Sequence, residues 1–522
     1  MGTVGLALAG WSAFAPIQKK FIAHGWDLLD VTPEEVLAHA DAFDRTALDG
    51  VTLMVNDTLA DGRQISHMRV MNDPPWPRDQ LQGKIKTFQE IVKHPSLRES
   101  FISSWWAPQK RLAWTDDAAW ANFATNMATV AWLAKQGGLR GILVDGEDYP
   151  QTEQYRRLAG DPSYDETAAL ARKRGAEVFG AIFREYPDVT FLSFWLLSQN
   201  VADFSAPEPI VAAKARGDLW VWFLNGMLDV MPAGVKFVDG NEFAYHYEAE
   251  KQDFFRSASE LHTAALGLVA PENRRKYRAQ ACAGSGHYLD AYINPTNSPW
   301  YFGPRDGSRL NHFRANLVQA TAAADEYLWI YGEQKAWIKW TNLKKKRFEG
   351  APTWDDVLPG FTDMMLGVKD PRRFLNRRLA DLRATGRLEN LAKINPEPWQ
   401  AENKPRGTYG RDGTALYLKD VSNGCYLVYV EGKPGDLFAI SLKHKGVGGS
   451  AVIYWQKEHA WQWGIPAVTV PIDDGDAAAW RSGGTVVRIP EGADAIGLQL
   501  SAHQVKGETC WYDAVEVYRL EK

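Results

Sequence analysis

The sequence predicts an α/β protein in which a (β/α)8 TIM barrel is followed by a C-terminal all-β, jelly-roll-like sandwich domain. Over residues 17–340, short apolar runs alternate with stretches of helical periodicity. From residue 411 onward the hydrophobic period changes to two, with turn signals between short runs. The chain has 522 residues, which exceeds one typical domain and agrees with this division.

The apolar runs are the predicted barrel strands. They are Lys20–Leu29, Gly50–Asp57, Ser100–Ala107, Arg140–Asp148, Val189–Leu197, Val235–Glu242, Lys276–Gly284 and Tyr327–Glu333. Helical patterns lie between them, and the first of these opens with Thr32 as a good N-cap and Pro33 in the first turn. A doubly wound open sheet is the alternative fold, but it needs neither eight regular units nor this spacing.

The chain beyond the barrel changes character twice. Residues 341–394 are charged and helical in pattern, and residues 395–410 are rich in Pro, Asn and Gly, which indicates a linker. Residues 411–522 are the predicted sandwich, and their closing segment has the run IGLQLSA followed by WYDAVEVYRL. This segment resembles the last strands of jelly-roll carbohydrate-binding modules. The resemblance implies a sandwich that binds carbohydrate; an accessory domain without a ligand is the alternative.

The N-terminal segment is apolar from Val4 to Pro16, and Ala13-Phe14-Ala15 is similar to a small-residue cleavage site. Residues 1–16 are therefore expected to be a signal-peptide remnant or an ordinary apolar arm. We expect a secreted or periplasmic protein, with the cytoplasm as the alternative location. The sequence predicts no membrane span, because no apolar stretch is long enough to cross a bilayer.

The composition narrows the class of function. The formal net charge is -5 and there is no long basic block, so nucleic acid is not an expected partner. Neither a G-x-G-x-x-G motif nor a P-loop is present, and no C-x-x-C pair or His/Cys cluster occurs, so we expect no cofactor and no metal. The aromatic content is high, with 22 Trp, 19 Tyr and 22 Phe. Flat aromatic faces suit sugar rings, although most of these side chains are expected in the core.

Candidate site residues follow from the rule that active sites of barrel enzymes lie at the carboxyl ends of the strands. Carboxylates there are the candidate catalytic groups, since glycosidic hydrolysis needs one protonated carboxyl and one carboxylate. The candidates are Asp145, Glu147, Asp239, Glu242 and Glu333. Aromatic, imidazole and amide side chains at the same ends are the candidate sugar contacts. They are His24, Trp26, Asn56, Trp106, Trp195, Gln199, His287 and Tyr331.

The segment RGILVDGEDYP, residues 140–150, carries the strongest signal. Asp145 and Glu147 are two residues apart, so both point to one side of an extended strand, and like charges this close raise one pKa. The segment resembles the fourth-strand signature of family 18 glycosidases, the chitinase group, with matches at Gly141, Ile142, Asp145 and Glu147. The resemblance implies that the Glu is the acid and that the Asp orients an acetamido group. Arg140 and Leu143 stand where that signature has further acids, which counts against a chitin-type substrate.

Two other pairings stay open. Asp145 and Asp239, each followed by Gly, resemble the strand-four and strand-six acids of α-galactosidase-like retaining enzymes. Glu333 at the eighth strand is a third possible partner. Each acid also has a structural interpretation: Asp239 in a strand-end turn, Glu242 as an N-terminal helix charge, and Glu333 in a surface ion pair.

The sequence therefore predicts a glycoside hydrolase that acts on a poly- or oligosaccharide, with Glu147 as general acid and Asp145, Asp239 or Glu333 as its partner. A non-catalytic carbohydrate-binding barrel is the alternative. A metal-dependent hydrolase that uses Asp145, Glu147, His24 and His287 is a third hypothesis, which the lack of an H-x-H pair disfavours. The sugar, the stereochemical outcome and the oligomeric state stay open.

Overall fold

The computed structural model describes residues 18–305, 307–384 and 389–521. The chain forms two compact units that divide between Lys369 and Asp370, inside the stretch predicted as a helical extension. The predicted N-terminal arm, residues 1–16, lies outside the described residues. Within the described ranges, no helix has both the length and the apolar character that crossing a bilayer requires.

The first unit is built on a nearly closed parallel barrel of nine strands, with a two-stranded hairpin, β3–β4, beside it. In chain order the strands are β1 (Lys20–Gly25), β2 (Gly50–Met54), β3 (Asn56–Thr58), β4 (Gln64–Ser66), β5 (Phe101–Trp105), β6 (Gly141–Asp145), β7 (Thr190–Ser193), β8 (Lys236–Asp239), β9 (Ala281–Ala283), β10 (Ser285–Tyr288) and β11 (Tyr327–Gly332). The sheet runs β10-β11-β1-β2-β5-β6-β7-β8-β9, so its two edge strands are separated in the chain only by Gly284.

Helices connect the strands and cover the outside of the barrel. They are α1 (Trp26–Asp30), α2 (Pro33–Ala38), α3 (Ala40–Phe43), α4 (Arg78–Ile91), α5 (Asp117–Gln136), α6 (Tyr164–Glu185), α7 (Pro209–Ala215), α8 (Trp220–Val230), α9 (Asp253–His262), α10 (Arg274–Gln280), α11 (Arg309–Ala323), α12 (Trp354–Val357) and α13 (Phe361–Lys369). The prediction that Thr32 caps a helix is confirmed, because its side chain and that of Glu35 form a reciprocal capping box at α2.

The predicted seventh strand is placed too early in the sequence. Lys276–Gln280 belong to the end of α10, and the extended segment begins at Ala281. Tyr277 is buried on this helix and its hydroxyl donates to the carbonyl of Leu261. A short apolar run does not distinguish a buried helix from a strand, which is the reason for the error.

The second unit contains α14 (Pro371–Ala384) and two antiparallel sheets. The first sheet holds β12 (Lys393–Ile394), β13 (Trp399–Gln400), β16 (Gly424–Glu431), β18 (Gly449–Lys457), β19 (Ala460–Trp461), β20 (Val468–Thr469) and β22 (Ala495–Ala502). The second holds β14 (Thr408–Asp412), β15 (Ala415–Lys419), β17 (Leu437–Gly446), β21 (Arg481–Arg488) and β23 (Thr509–Glu521). Both sheets contribute to one apolar core, which includes Tyr426, Phe438, Ile453 and Leu498. The segment predicted as a linker, 395–410, contains β13, which pairs with β16.

Candidate active site

Two adjoining cavities open at the carboxyl ends of the barrel strands. The major cavity has a volume of about 1080 Å³ and the minor cavity about 310 Å³. The residues that line both form a shared wall: Glu147, Tyr149, Glu242, Tyr245 and Tyr331. The carboxyl groups of Glu147 and Glu242 therefore stand between the two cavities.

Asp145 and Glu147 are held by the turn that follows β6. The backbone N–H of Glu147 donates to Asp145 Oδ1 over 2.8 Å, and Trp105 Nε1 donates to the Glu147 carbonyl over 2.7 Å. The Tyr149 hydroxyl donates to Glu147 Oε2 over 2.7 Å. The bond from Tyr149 fixes the direction of the Glu147 carboxyl, and among the described residues no other side chain donates a hydrogen bond to it.

Glu242 reaches the same wall from the other side. It begins a short 3-10 helix, Glu242–His246, which is separated from β8 by Gly240 and Asn241, and its backbone N–H donates to the Phe194 carbonyl over 2.9 Å. Among the described residues, no hydrogen bond contributes to the pKa of the Glu242 carboxyl. Burial, and then the charges of Glu147 and Asp145, raise the pKa of Glu242 to about 9.

The charge of Glu147 acts on both Asp145 and Glu242 in this partly desolvated region. Burial, and then the charge of Glu147, raises the pKa of Asp145 well above its ordinary value. Burial also raises the pKa of Glu147; the Tyr149 hydroxyl opposes this rise and the charge of Glu333 adds to it. Three such carboxyls do not all ionise at neutral pH. Glu242, with a pKa of about 9 and no hydrogen bond that opposes the rise, is favoured in its protonated form at neutral pH.

Glu333 lies in the minor cavity, beside the shared wall. Its carboxylate accepts hydrogen bonds from the Tyr331 hydroxyl over 3.0 Å and from the Tyr288 hydroxyl over 3.2 Å. Its backbone N–H donates to Asp290 Oδ2 over 2.7 Å, which anchors the segment after β11. Burial raises the pKa of Asp290 to about 6.

Four predicted sugar contacts line the major cavity: His24, Trp26, Asn56 and Tyr331. His24 stacks on Tyr331 with ring centroids 5.5 Å apart, and its Nδ1 lies 2.8 Å from Thr52 Oγ1. Burial, with a contribution from His67, lowers the pKa of His24 to about 3, so the imidazole is neutral at physiological pH. Trp26 is partly exposed and its Nε1 donates to the Tyr331 hydroxyl over 2.5 Å.

Trp106 requires a correction. Its ring is fully buried outside the barrel strands, against Phe123, Phe179 and Phe191, and it cannot meet a sugar. The neighbouring Trp105 instead lines the major cavity. Successive side chains of a strand point to opposite faces, so an error of one residue exchanges the two positions.

His287 and Asp239 also face away from the cavities. His287 is buried with its ring near Phe254 and Phe313, on the helix side of β10. Asp239 is buried and accepts hydrogen bonds from the backbone N–H and hydroxyl of Ser198 and from the N–H of Asn241. Its carboxylate thus ties the loop after β7 to β8, which corrects the prediction of a catalytic Asp239.

Gln199 and Trp195 line neither cavity. Gln199 is exposed in a 3-10 helix after β7. Trp195 packs beside the turn of the acid pair, because a Cβ on Gly146 would lie 3.5 Å from its ring. The structure thus brings neither residue to the cavities, and their predicted sugar contacts stay predictions.

Several cavity residues were missed in the sequence. His67 follows the hairpin strand β4 rather than a barrel strand, and its Nδ1 lies 2.9 Å from Asn56 Oδ1. Tyr149, Tyr245 and Trp300 belong to loops and short helices after the strands. Tyr149 and Tyr245 lie a few residues after the candidate acids Asp145 and Glu242, and this proximity in the sequence could have indicated them. No neighbouring residue in the sequence indicates Trp300.

The described residues that line the two cavities do not form a compact cluster of metal-ligand atoms. Among the described residues, Asp41, Asp44 and His94 form the one group of three His, Cys, Asp or Glu ligand atoms that lie within 4.8 Å of one another. Asp44 and His94 are within hydrogen-bonding distance there, with Oδ2 2.8 Å from Nδ1. Neither cavity is lined by these residues.

The second unit carries an aromatic surface, which we define as Tyr429, Tyr454, Trp461 and Trp463. Tyr429 and Tyr454 both pair in register with Gly497, so the three lie in a row on the outer face of the first sheet. A Cβ on Gly497 would lie 2.5 Å from the Trp461 ring, so only glycine lets that ring lie on the sheet. Trp461 and Trp463 stack at 5.7 Å, and Trp463 is 69% exposed.

Comparisons with known proteins give only weak likenesses. No family model matches, and no curated protein matches. A structure described as "CBM4 structure and function" is similar at 16% identity, over 25% of this chain and 89% of that one, with a TM-score of 0.20. A variant of a family 29 carbohydrate-binding module complexed with cellulohexaose is similar at 13% identity, over 26% and 91%, with a TM-score of 0.18.

A third similar structure is the enzymatically active domain of tailspike protein 4 of bacteriophage CBA120. The identity is 11%, over 25% of this chain and 19% of that one, with a TM-score of 0.20. The chain thus spans about a fifth of that domain's length. At these identities and TM-scores, the similarities carry no argument about this protein.

Proposed function

We propose that the first unit is a glycoside hydrolase with a (β/α)8 barrel, in which β9 and β10 together count as one strand, so that nine strands become eight. Its substrate is a poly- or oligosaccharide. The observation that carries the proposal is the shared wall, where Glu147 and Glu242 stand between two cavities lined with aromatic side chains. Paired carboxyls and aromatic faces are what glycosidic hydrolysis requires.

Glu242 is the general acid in this proposal, and Glu147 is the carboxylate. The sequence favoured Glu147 as the acid, but the hydrogen bond from Tyr149 stabilises Glu147 in its ionised form. Glu242 gives its proton to the glycosidic oxygen as the bond to the anomeric carbon breaks. Glu147 compensates the positive charge at that carbon, as nucleophile or as base for the incoming water. Asp145 positions Glu147 through its backbone N–H.

The matched set of variants Glu242→Gln, Glu147→Gln and Glu153→Gln tests this assignment on a panel of soluble glycans. Loss of either catalytic carboxyl should lower kcat by about 10²–10⁴-fold, as removal of a general acid or base does. Glu153 lies in the same loop as Glu147 but is exposed and pairs with Arg156, so its variant should keep wild-type activity.

Full activity in Glu242→Gln would remove Glu242 from the mechanism. Glycan binding by the wild-type protein without any turnover would instead establish the alternative, a non-catalytic carbohydrate-binding barrel. Export to the periplasm or the extracellular space is part of the proposal, because polymeric glycans are met there; detection of the native protein in the cytoplasm alone would contradict it.

We also propose that the second unit is a jelly-roll-like sandwich that binds carbohydrate through the aromatic surface. Its support is the pair of stacked rings on the outer face of the sheet, in which Trp461 is half-buried and Trp463 is exposed. Exposed tryptophan of this kind offers a flat apolar face to a sugar ring.

A further inference from the structure

Aromatic side chains line much of the minor cavity. His246 and Trp300 stack with centroids 4.2 Å apart, and Tyr288 meets Trp300 edge to face at 5.6 Å. Tyr245, from the shared wall, also meets Trp300 edge to face, at 6.0 Å. Phe243 lines the cavity with 43% of its surface exposed. The arrangement offers aromatic faces at several angles around one small space.

The polar groups of this cavity are acceptors and neutral donors. The Glu333 carboxylate uses one oxygen for each of two tyrosine hydroxyls, which leaves further lone pairs for sugar hydroxyls. Burial lowers the pKa of His246, so its ring is neutral at physiological pH. Of the described residues, no Lys or Arg lines the minor cavity. An anionic sugar would meet Glu333 with no compensating cation.

The major cavity differs in both size and charge. Arg69, Lys345 and Arg347 line it, and Lys345 and Arg347 both approach the single carboxylate of Asp30. Ligand pockets generally have volumes of about 300–1,000 Å³. The minor cavity is at the lower end of this range, which suits one ring, and the major cavity is at the upper end, which suits several.

We infer that the minor cavity is a subsite for one uncharged sugar ring at the end of a glycan whose remaining rings occupy the major cavity. The inference rests on the proposed function, because the bond to be cleaved must then cross the wall of Glu147 and Glu242. The ring packs on Trp300 and donates its hydroxyls to Glu333. Hydrolysis therefore releases the terminal residue and proceeds from one end of the chain.

The experiment follows the products of a defined oligosaccharide series, drawn from whichever glycan the wild-type protein hydrolyses. We expect single sugars to appear from the earliest time points. Trp300→Ala should lower kcat/KM by at least tenfold, whereas Phe255→Ala, an exposed aromatic residue on α9 outside both cavities, should leave it unchanged. Random internal cleavage, or an unchanged kcat/KM in Trp300→Ala, would overturn the inference.

The charge of the subsite is tested with two substrates that differ only in a terminal neutral sugar or the corresponding uronic acid. The value of kcat/KM should be at least tenfold higher for the neutral substrate than for the uronic acid, and Glu333→Gln should reduce this ratio. A preference for the uronic acid would overturn the inference. Failure of the proposed function is a separate outcome, because then the wild-type protein releases no product from either substrate.

Discussion

The barrel mouth and the aromatic surface of the second unit use the same type of side chain in two different settings. At the mouth, aromatic rings enclose Glu147 and Glu242 and remove much of the water around them, and the pKa of both acids rises. On the second unit, Trp463 projects from an open sheet face. Aromatic faces alone are sufficient to bind a sugar ring. Acid/base catalysis also needs a partly desolvated site, in which neighbouring carboxyl groups have different pKa values.

The largest effect that separates the two regions is expected from the double variant Trp461→Ala/Trp463→Ala. Removal of both stacked rings should weaken the binding of a polymeric glycan by about tenfold to a hundredfold, because truncated tryptophan anchors cost 1.4 kcal/mol or more. Hydrolysis of a short soluble substrate should not change. Retention on the insoluble polymer, measured beside turnover of the soluble one, shows both. Equal loss in the two assays would mean that the regions do not act separately.

Tyr149→Phe is expected to have an intermediate effect, confined to the barrel. The Tyr149 hydroxyl lowers the pKa of Glu147, so its removal raises that pKa. Hydrolysis requires ionised Glu147, and the acidic limb of the pH–activity profile should therefore move to higher pH. The alkaline limb depends on protonated Glu242 and should stay near pH 9. A shift of the acidic limb to lower pH would contradict the assignment of Glu147 as the carboxylate.

The smallest effect is a gain in stability in Glu242→Gln. The folded-state pKa of Glu242, about 9, lies above the value of about 4.3 for an unfolded chain, so stability is lost as pH rises between these values. A neutral amide avoids this loss. We expect the free energy of unfolding to increase at pH 8 and to increase by less at pH 5. Thermal unfolding at the two pH values measures it, with Glu153→Gln as the control that should show no gain.

Much of the barrel could be predicted because its strands are short apolar runs and its helices have clear caps, as at Thr32. The rule that active sites lie at the carboxyl ends of barrel strands indicated the end of the barrel at which functional groups lie. Asp145, Glu147 and Glu242 were selected by this rule. The rule does not tell which way a side chain points. Trp106 and His287 were therefore placed in the mouth although both face the helices.

The residues that were missed lie outside regular strands. His67 and Trp300 reach the cavities from loops, and their positions depend on long-range packing that no local pattern encodes. The role of Glu242 was also beyond the sequence, because its raised pKa results from burial and from the charges of Glu147 and Asp145, which are distant in the chain.

The most direct test of the account is the protonation state of Glu242 in the unliganded protein. Carbon-13 NMR of protein labelled at the glutamate side-chain carboxyl, with signals assigned by their absence in Glu242→Gln and Glu147→Gln, measures each titration without any substrate. Glu242 should titrate near pH 9, and Glu147 should titrate below it. Titration of Glu242 near the ordinary glutamate value of about 4.3, with Glu147 above it, would contradict the assignment of acid and carboxylate.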